Sequence, residues 1–329
     1  MLNQQIVLAA RPRGMVKPDD MALHSAQLAD LQAGQLLVKN HFLSIDPAIR
    51  YWLNAGTTYI RGVDIGEPVR CFAAGEVVAS QNDGFSVGQW VTGLFGAQEY
   101  AISDGVGLVC CDPADGSLSQ HLGVLGMPGM TAYFGLLDKG QPQTGEVVFV
   151  SGAAGVVGTT VGQIAKLKGC QVIGSAGSDE KCRYLTEAGF DAAFNYKTED
   201  SDAALKRLAP GGIHIYFDNV GGDTLDAALL NLARGARVVI CGALSQYNES
   251  AYAGPKNYMK ILTARGILTG IIVFDYASQW PAAVRELAGW LREGSVSTRE
   301  VIEPGLANFP SALVRLYQGA AFGKLLVAV

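Results

Sequence analysis

The chain of 329 residues is long enough for two domains and a large core, and 49% hydrophobic with 17% charged residues is the balance of a globular enzyme rather than of a disordered or fibrous protein. A formal net charge of −5 without a basic stripe argues against nucleic acid or an anionic membrane as a main partner. Met1-Leu2-Asn3-Gln4-Gln5 lacks the charged start and apolar run of a signal peptide, no uncharged apolar stretch of about 18 residues follows, and six cysteines without a Cys-x-x-Cys point to a reducing, cytoplasmic setting.

Up to residue 123 the chain runs in short alternating segments broken by glycine: Gln35-Leu36-Leu37-Val38-Lys39, Gly75-Glu76-Val77-Val78-Ala79 and Gln89-Trp90-Val91-Thr92-Gly93. This spacing predicts an antiparallel or barrel-like β domain over 1–123. Cys110 and Cys111 are expected as buried small side chains of a Gly107-Leu108-Val109-Cys110-Cys111 strand rather than as a redox pair.

From 124 to 294 strands alternate with helices, which predicts a doubly wound parallel sheet. Glu146-Val147-Val148-Phe149-Val150 reads as a buried strand, Ser151-Gly152-Ala153-Ala154-Gly155-Val156-Val157-Gly158 as a glycine turn, and 159–168 as a helix. A glycine turn between strand and helix lets backbone N–H groups approach a pyrophosphate at the positive end of the helix. In NAD-selective sites an Asp or Glu about 20 residues on takes the ribose 2′-hydroxyl. Here that region reads Val172-Ile173-Gly174-Ser175-Ala176-Gly177-Ser178, followed by Asp179, Glu180 and Lys181. The two acids fall after Ser178 in the first turn of the next helix, where carboxylates suit the helix dipole. A small, polar strand end with a cation nearby suits a 2′-phosphate, so the expected cofactor is NADP(H).

Further strands are expected at 191–195, 212–218, 236–241 and 270–274, with a helix over 225–232. Ligands of such sheets bind outside the carboxyl ends of the strands. Asn219-Val220-Gly221-Gly222, Cys241-Gly242-Ala243-Leu244-Ser245-Gln246-Tyr247 and Ile271-Ile272-Val273 are therefore expected to face the nicotinamide half of the cofactor. The tail over 295–329 reads as an extended piece, a helix at 309–317 and a strand at 324–329. It is expected to rejoin the first domain, leaving the cofactor domain as an insertion and the active site in the cleft between them.

Two other motifs are set aside. Tyr252-Ala253-Gly254-Pro255-Lys256 has a Tyr-x-x-x-Lys spacing, but Gly254 and Pro255 break the helix that would align the pair. His24, His41, His121 and His214 are scattered and none pairs closely with a cysteine, so no metal site is expected; His214, in an apolar strand, reads as a satisfied core group.

Taken together, Phe42-Leu43-Ser44-Ile45-Asp46-Pro47, Gly126-Met127-Pro128-Gly129-Met130-Thr131-Ala132-Tyr133-Phe134-Gly135-Leu136, the Ser151–Gly158 turn, Gly177-Ser178-Asp179-Glu180-Lys181, Phe194-Asn195-Tyr196-Lys197 and Phe217-Asp218-Asn219-Val220-Gly221-Gly222 carry a family resemblance. The chain resembles the zinc-independent medium-chain dehydrogenases/reductases, in the group of the prostaglandin (leukotriene hydroxydehydrogenase) and bacterial curcumin reductases. The resemblance covers nearly the whole chain. It implies a GroES-like catalytic domain split around a Rossmann domain, commonly a homodimer, and NADPH-dependent reduction of the carbon–carbon double bond of an α,β-unsaturated ketone or aldehyde. By position, Gly155, Val156, Val157 and Gly158 would line the pyrophosphate and Lys181 and Tyr196 the 2′-phosphate, with Gly152 and Ser178 also among the expected cofactor-binding residues. Asn219, Cys241, Gly242, Ala243, Ser245, Tyr247, Ile271, Ile272 and Val273 would hold the rest of the cofactor. Asp46 stands near where zinc-dependent relatives place a ligand cysteine, and Arg70-Cys71-Phe72 where they place Gly-His-Glu. Two departures stand out: Ala321 replaces the family's asparagine before Gly323-Lys324, and 57–70 carries less glycine.

The chemistry so implied is hydride transfer from nicotinamide C4 to the β-carbon of an enone, with protonation of the enolate at the α-carbon. Tyr247 is the expected catalytic hydroxyl, a donor at neutral pH with an ordinary tyrosine pKa of about 10. Tyr51, Trp52, Tyr59, Tyr258 and Phe274 are the candidates for an apolar substrate pocket, with domain packing as their alternative role. Quinone reduction on the same fold, and an NADP-binding protein with little turnover, remain open.

Overall fold

The protein is described by a computed structural model that covers residues 1–56, 59–249, 251–320 and 322–329. Its contacts divide the chain into two units. The first comprises Met1–Leu122, Tyr247–Ser250 and Glu300–Val329, the second Gly123–Gln246 and Ala251–Arg299.

In the first unit β1 (Leu2–Leu8) and β2 (Met21–Gln27) pair antiparallel. They are followed by β3 (Leu36–Ile45), the short helix α1 (Ala48–Trp52), β4 (Ala73–Ser80), β5 (Trp90–Gly93), β6 (Tyr100–Ser103) and β7 (Val109–Cys111). Leu36 and Val38 of β3 and, by alternation, Ala73 and Val77 of β4 enter one apolar core, which Leu43 joins beyond the register shift between Asn40 and Phe42. The same alternation corrects the reading of the cysteine pair. Cys111 is buried, whereas Cys110 is exposed, because adjacent residues of a strand point to opposite faces.

The second unit opens with α2 (Met127–Phe134) and then alternates β8 (Val147–Val150), α3 (Val156–Leu167), β9 (Gln171–Ala176), α4 (Asp179–Glu187), β10 (Ala192–Asn195), α5 (Ser201–Leu208), β11 (Ile213–Asp218), α6 (Gly222–Leu230) and β12 (Leu232–Ile240). Next come α7 (Met259–Ala264), β13 (Ile267–Gly270) and α8 (Trp280–Arg292). All neighbours in the sheet order β10-β9-β8-β11-β12-β13 are parallel. All four residues of β8 are buried, as expected of a strand covered on both faces. This is the doubly wound sheet read from the sequence, and its order reverses between β8 and β11, the switch point where such sheets bind ligands.

The chain then forms β14 (Glu300–Pro304), α9 (Phe309–Tyr317) and β15 (Lys324–Ala328). β15 pairs parallel with β14 and antiparallel with β3, giving the order β14-β15-β3-β4-β5-β7 with β6 also on β3. No helix among the described residues is long and apolar enough to cross a membrane.

Several element boundaries differ from the sequence reading. α3 begins at Val156, so the last three residues of the expected glycine turn form the first turn of the helix. α6 ends at Leu230 and β12 begins at Leu232, earlier than the expected strand at 236. The sixth strand is Ile267–Gly270 rather than 270–274, set by the pairing of Arg237 with Ile267 and of Ile240 with Gly270. Beyond Gly270 the apolar run continues because Ile271 and Val273 are buried, with residues 273–279 coiled into short helical turns.

Candidate dinucleotide and aromatic sites

At the end of β8 the backbone turns at Gly152, whose φ of 58° lies in the region that side chains resist. Gly155 then caps α3 in an extended conformation with no side chain to offer. The amides of Val156, Val157 and Gly158 therefore stand at the positive end of a twelve-residue helix without intrahelical acceptors, a donor set that fits a pyrophosphate. Gly158 lets the helix sit on the turn: a Cβ there would lie 2.6 Å from Ala153 Cα and 2.8 Å from Gly152 O.

The end of β9 carries the polar cluster. Ser178 caps α4, its Oγ accepting from Lys181 N at 3.3 Å. Asp179 sits in the first helical turn and accepts from Asn195 Nδ2 at 2.8 Å; Asn195 Oδ1 in turn accepts from Lys197 N at 3.1 Å. A Cβ built on Gly177 would be 2.9 Å from Tyr196 Oη and 3.3 Å from Lys197 Cε, so both side chains lean over this glycine. Burial, and then the Lys197 ammonium, push the Lys181 amine below its ordinary pKa. Lys197, quoted in the sequence motif but given no role there, thus stands with Lys181 and Tyr196 at one strand end.

The loop after β11 meets the glycine turn, and the loop after β12 bonds the end of β11 and its loop. Asn219 Nδ2 donates to Ser151 O at 2.8 Å, and Asn219 N to Ser151 Oγ at 3.0 Å. Ser245 Oγ donates to Val220 O at 2.6 Å, while Cys241 N and Gly242 N bond the carbonyl of Asp218 at 2.9 and 3.1 Å. Burial, then Asp218, raise the Cys241 thiol to about 12, so it stays protonated near neutral pH. Ala243 sits close to Gly221, with its Cβ 3.3 Å from where a Gly221 side chain would begin. Of the 271–273 segment, Ile271 and Val273 are buried and Ile272 is exposed.

Tyr247 belongs to the first unit, although it follows directly on the β12 loop. Its ring lies 6.3 Å from that of Tyr51, which stacks on Tyr59 at 6.3 Å; Trp52 Nε1 donates to Tyr59 Oη at 2.9 Å. Tyr51, Tyr59 and Tyr247 thus form one aromatic cluster. Trp52 is a core residue, and Tyr258 and Phe274 belong to the second unit. What anchors the cluster escaped the sequence reading. Buried Arg50 donates to Asn248 Oδ1 at 3.2 Å, to Gly14 O at 3.1 Å and to Asn54 Oδ1 at 2.7 Å, fastening the Tyr247 segment to α1. Tyr317 Oη donates to Pro47 O at 2.5 Å and accepts from Arg50 N at 3.2 Å.

Asp46 is buried and paired with Lys324, Nζ to Oδ1 2.6 Å. Among the described residues no three His, Cys, Asp or Glu side chains gather as a metal set. His214 Nδ1 accepts from Val147 N at 3.1 Å, and 252–256 is irregular rather than helical. Ala321 and Thr57, which figure in the two departures from the family pattern, lie outside the described residues.

Two family profiles match the chain, "N-terminal domain of oxidoreductase" over residues 4–110 and "Zinc-binding dehydrogenase" over 156–289. The NADPH-dependent curcumin reductase of Escherichia coli is 40% identical over 99% of this chain and 97% of its own length. The NADP(+)-dependent 2-alkenal reductase of Nicotiana tabacum is also 40% identical, over the same shares of both chains. The crystal structure of CurA from Vibrio vulnificus in complex with NADPH superposes with a TM-score of 0.93 at 39% identity, covering 99% of each chain. The chain belongs to the medium-chain dehydrogenase/reductase superfamily and, within it, to the group of the prostaglandin reductases and bacterial curcumin reductases.

Proposed function

We infer that this chain is an NADPH-dependent oxidoreductase that reduces the carbon–carbon double bond of an α,β-unsaturated ketone or aldehyde. The observation that carries the cofactor half is the pairing of free helix amides at Val156–Gly158 with Lys181, Lys197 and Tyr196 at the next strand end. The substrate half rests on relatives whose names include a 2-alkenal reductase and a curcumin reductase, both about 40% identical over nearly the full chain.

The residues fit the cofactor as follows. Gly152, Gly155, Val156, Val157 and Gly158 hold the pyrophosphate, Ser178, Lys181 and Tyr196 the 2′-phosphate, and Asn219 with Cys241, Gly242, Ala243, Ser245, Ile271, Ile272 and Val273 the remainder. Bound there, the reduced nicotinamide supplies a hydride to an electron-poor carbon. The chain positions the substrate and stabilises charge that develops on its carbonyl oxygen. Tyr247 presents a hydroxyl for that oxygen, held by Arg50 through Asn248 and flanked by Tyr51. Tyr51 and Tyr59 form an apolar wall suited to a planar enone.

NADPH oxidation against a panel of enones, enals, quinones and saturated aldehydes, with product analysis, tests the reading. Saturated ketones or aldehydes are the expected products from enones and enals. Turnover confined to quinones would overturn it, and tight NADPH binding without turnover on any of them would make the chain a binding protein. Tyr247→Phe is expected to lower kcat on an enone by about 10-fold or more while NADPH affinity changes less than about threefold. Unchanged turnover would remove Tyr247 from the reaction.

We also propose a cytoplasmic homodimer. Six free cysteines suit a reducing compartment. β13 ends the parallel sheet, and Ile267 and Leu268 are 60% and 43% exposed, an apolar strand edge that a second copy can cover. Light scattering should find twice the chain mass for the wild type and a single chain mass for Ile267→Glu; an unchanged mass in the variant would place the dimer contact elsewhere.

A further inference from the structure

Asp218, the last residue of β11, is 1% exposed and was passed over by the sequence reading in favour of its neighbour Asn219. Its Oδ1 accepts from Tyr216 Oη at 2.6 Å, Ser151 Oγ at 3.1 Å, Val220 N at 3.0 Å and Gly221 N at 2.8 Å. Its Oδ2 is buried with no hydrogen-bond partner. Its own carbonyl takes the amides of Cys241 and Gly242. One residue therefore joins the turn after β8, the loop after β11 and the start of the loop after β12, on the two sides of the switch point. Ser151, bonded to Asp218, also accepts the hydrogen bonds that Asn219 donates from its backbone N and its Nδ2.

A carboxylate with one oxygen fully engaged and the other orphaned is costly to bury. Such a group persists where its single oxygen does something an apolar side chain cannot. Here four donors from three elements converge on one point, a task for a small, strong acceptor.

We propose that Asp218 is the positioning residue of the dinucleotide site: by gathering Ser151, Val220 and Gly221 on one oxygen it sets the separation between the glycine turn and Asn219. The proposal rests on the reading above that these loops hold the dinucleotide. It concerns the part of the cofactor common to NADPH and NADH, not the 2′-phosphate.

The test is titration of NADPH and NADH by nucleotide fluorescence on Asp218→Ala, Asp218→Asn, Asn219→Ala and the Asp218→Ala/Asn219→Ala double variant, with thermal unfolding alongside. Asp218→Ala should weaken both nucleotides by a common factor of about 10 or more, since a charge-assisted acceptor is lost behind the site. Asp218→Asn, which keeps an acceptor oxygen, should stay within about fivefold of the wild type. In the Asn219→Ala background Asp218→Ala should add less than its effect alone, because it acts through Asn219. Binding by Asp218→Ala equal to wild type, a lowered unfolding temperature with unaltered affinity, or full additivity with Asn219→Ala would each overturn the proposal. If Asp218→Ala does not fold, Tyr216→Phe removes the donor behind the carboxylate, and nucleotide affinity unaltered in that variant overturns it as well. Failure of the wild type to bind either nucleotide would instead remove the underlying reading of the loops.

Discussion

Replacing Lys181 by alanine is expected to weaken NADPH binding by roughly 10- to 100-fold, the value of one charged hydrogen bond, while NADH binding stays within about twofold. The geometry behind this is local. Ser178 starts α4 at the end of β9, Lys181 lies one turn in, and Tyr196 Oη and Lys197 lean over the bare backbone of Gly177 from the end of β10. Asp179, the acid closest to the place where a NAD-selective site would use one, is engaged by Asn195. Burial, and then the Lys197 ammonium, depress the Lys181 pKa, and a bound anion relieves the repulsion between the two ammonium groups. The sign of the pH dependence follows. A depressed amine loses its charge at lower pH than an ordinary lysine, and a bound 2′-phosphate favours the protonated form. NADPH affinity should therefore decline on the alkaline side before an ordinary lysine would titrate, while NADH affinity stays flat. Paired titrations of both nucleotides across pH check both statements; equal losses for the two nucleotides in Lys181→Ala would end the assignment of the 2′-phosphate to this strand end.

How much of this was legible in the sequence depends on how far apart the participating residues lie. Val147–Val150 and the turn through Gly158 declare themselves because backbone conformation and the following helix are set within a few residues. Ser178 and Lys181 are legible for the same reason, as cap and first turn of one helix. Tyr247 could be named from its place after β12, but its membership of the first unit depends on Arg50 reaching Asn248, 198 positions away. The sequence marks Asp218 only as the end of a strand, since its partner Ser151 is 67 positions distant and no local pattern marks a buried acceptor. β13 was misplaced by three residues because an apolar run does not reveal where pairing stops and unpaired burial begins. The opposite exposure of Cys110 and Cys111 follows from strand alternation and is legible in the sequence.

The same distance argument applies to Lys324, where the largest effect on stability is expected. Its side chain is 1% exposed, and Nζ donates to Asp46 Oδ1 at 2.6 Å, to Ser44 Oγ at 2.6 Å and to Ile45 O at 3.4 Å, across 278 positions in the case of Asp46. Ser44 Oγ completes the set by donating to Asp46 Oδ2. The three ammonium protons and both carboxylate oxygens are thus satisfied, which is the condition under which a buried ion pair holds its place against desolvation. The pair ties β15 to the end of β3, directly before Pro47 and α1, the element that carries Arg50 and Tyr51. Lys324→Met keeps the apolar stem but strands the Asp46 charge, and is expected to destabilise the first unit by about 3–5 kcal/mol. Lys324→Met/Asp46→Leu removes both charges and should recover most of that loss, because a volume-filling apolar pair incurs no such desolvation cost. Hydrogen exchange of β3 and β15 amides follows the first unit specifically: faster exchange in the single variant and near wild-type exchange in the double one are expected. If the single variant exchanges as slowly as the wild type, the ion pair does not hold this strand. The cation that balances the buried Asp46 carboxylate is thus the chain's own Lys324. The double variant should therefore keep NADPH affinity, since neither Asp46 nor Lys324 belongs to the unit that carries the glycine turn.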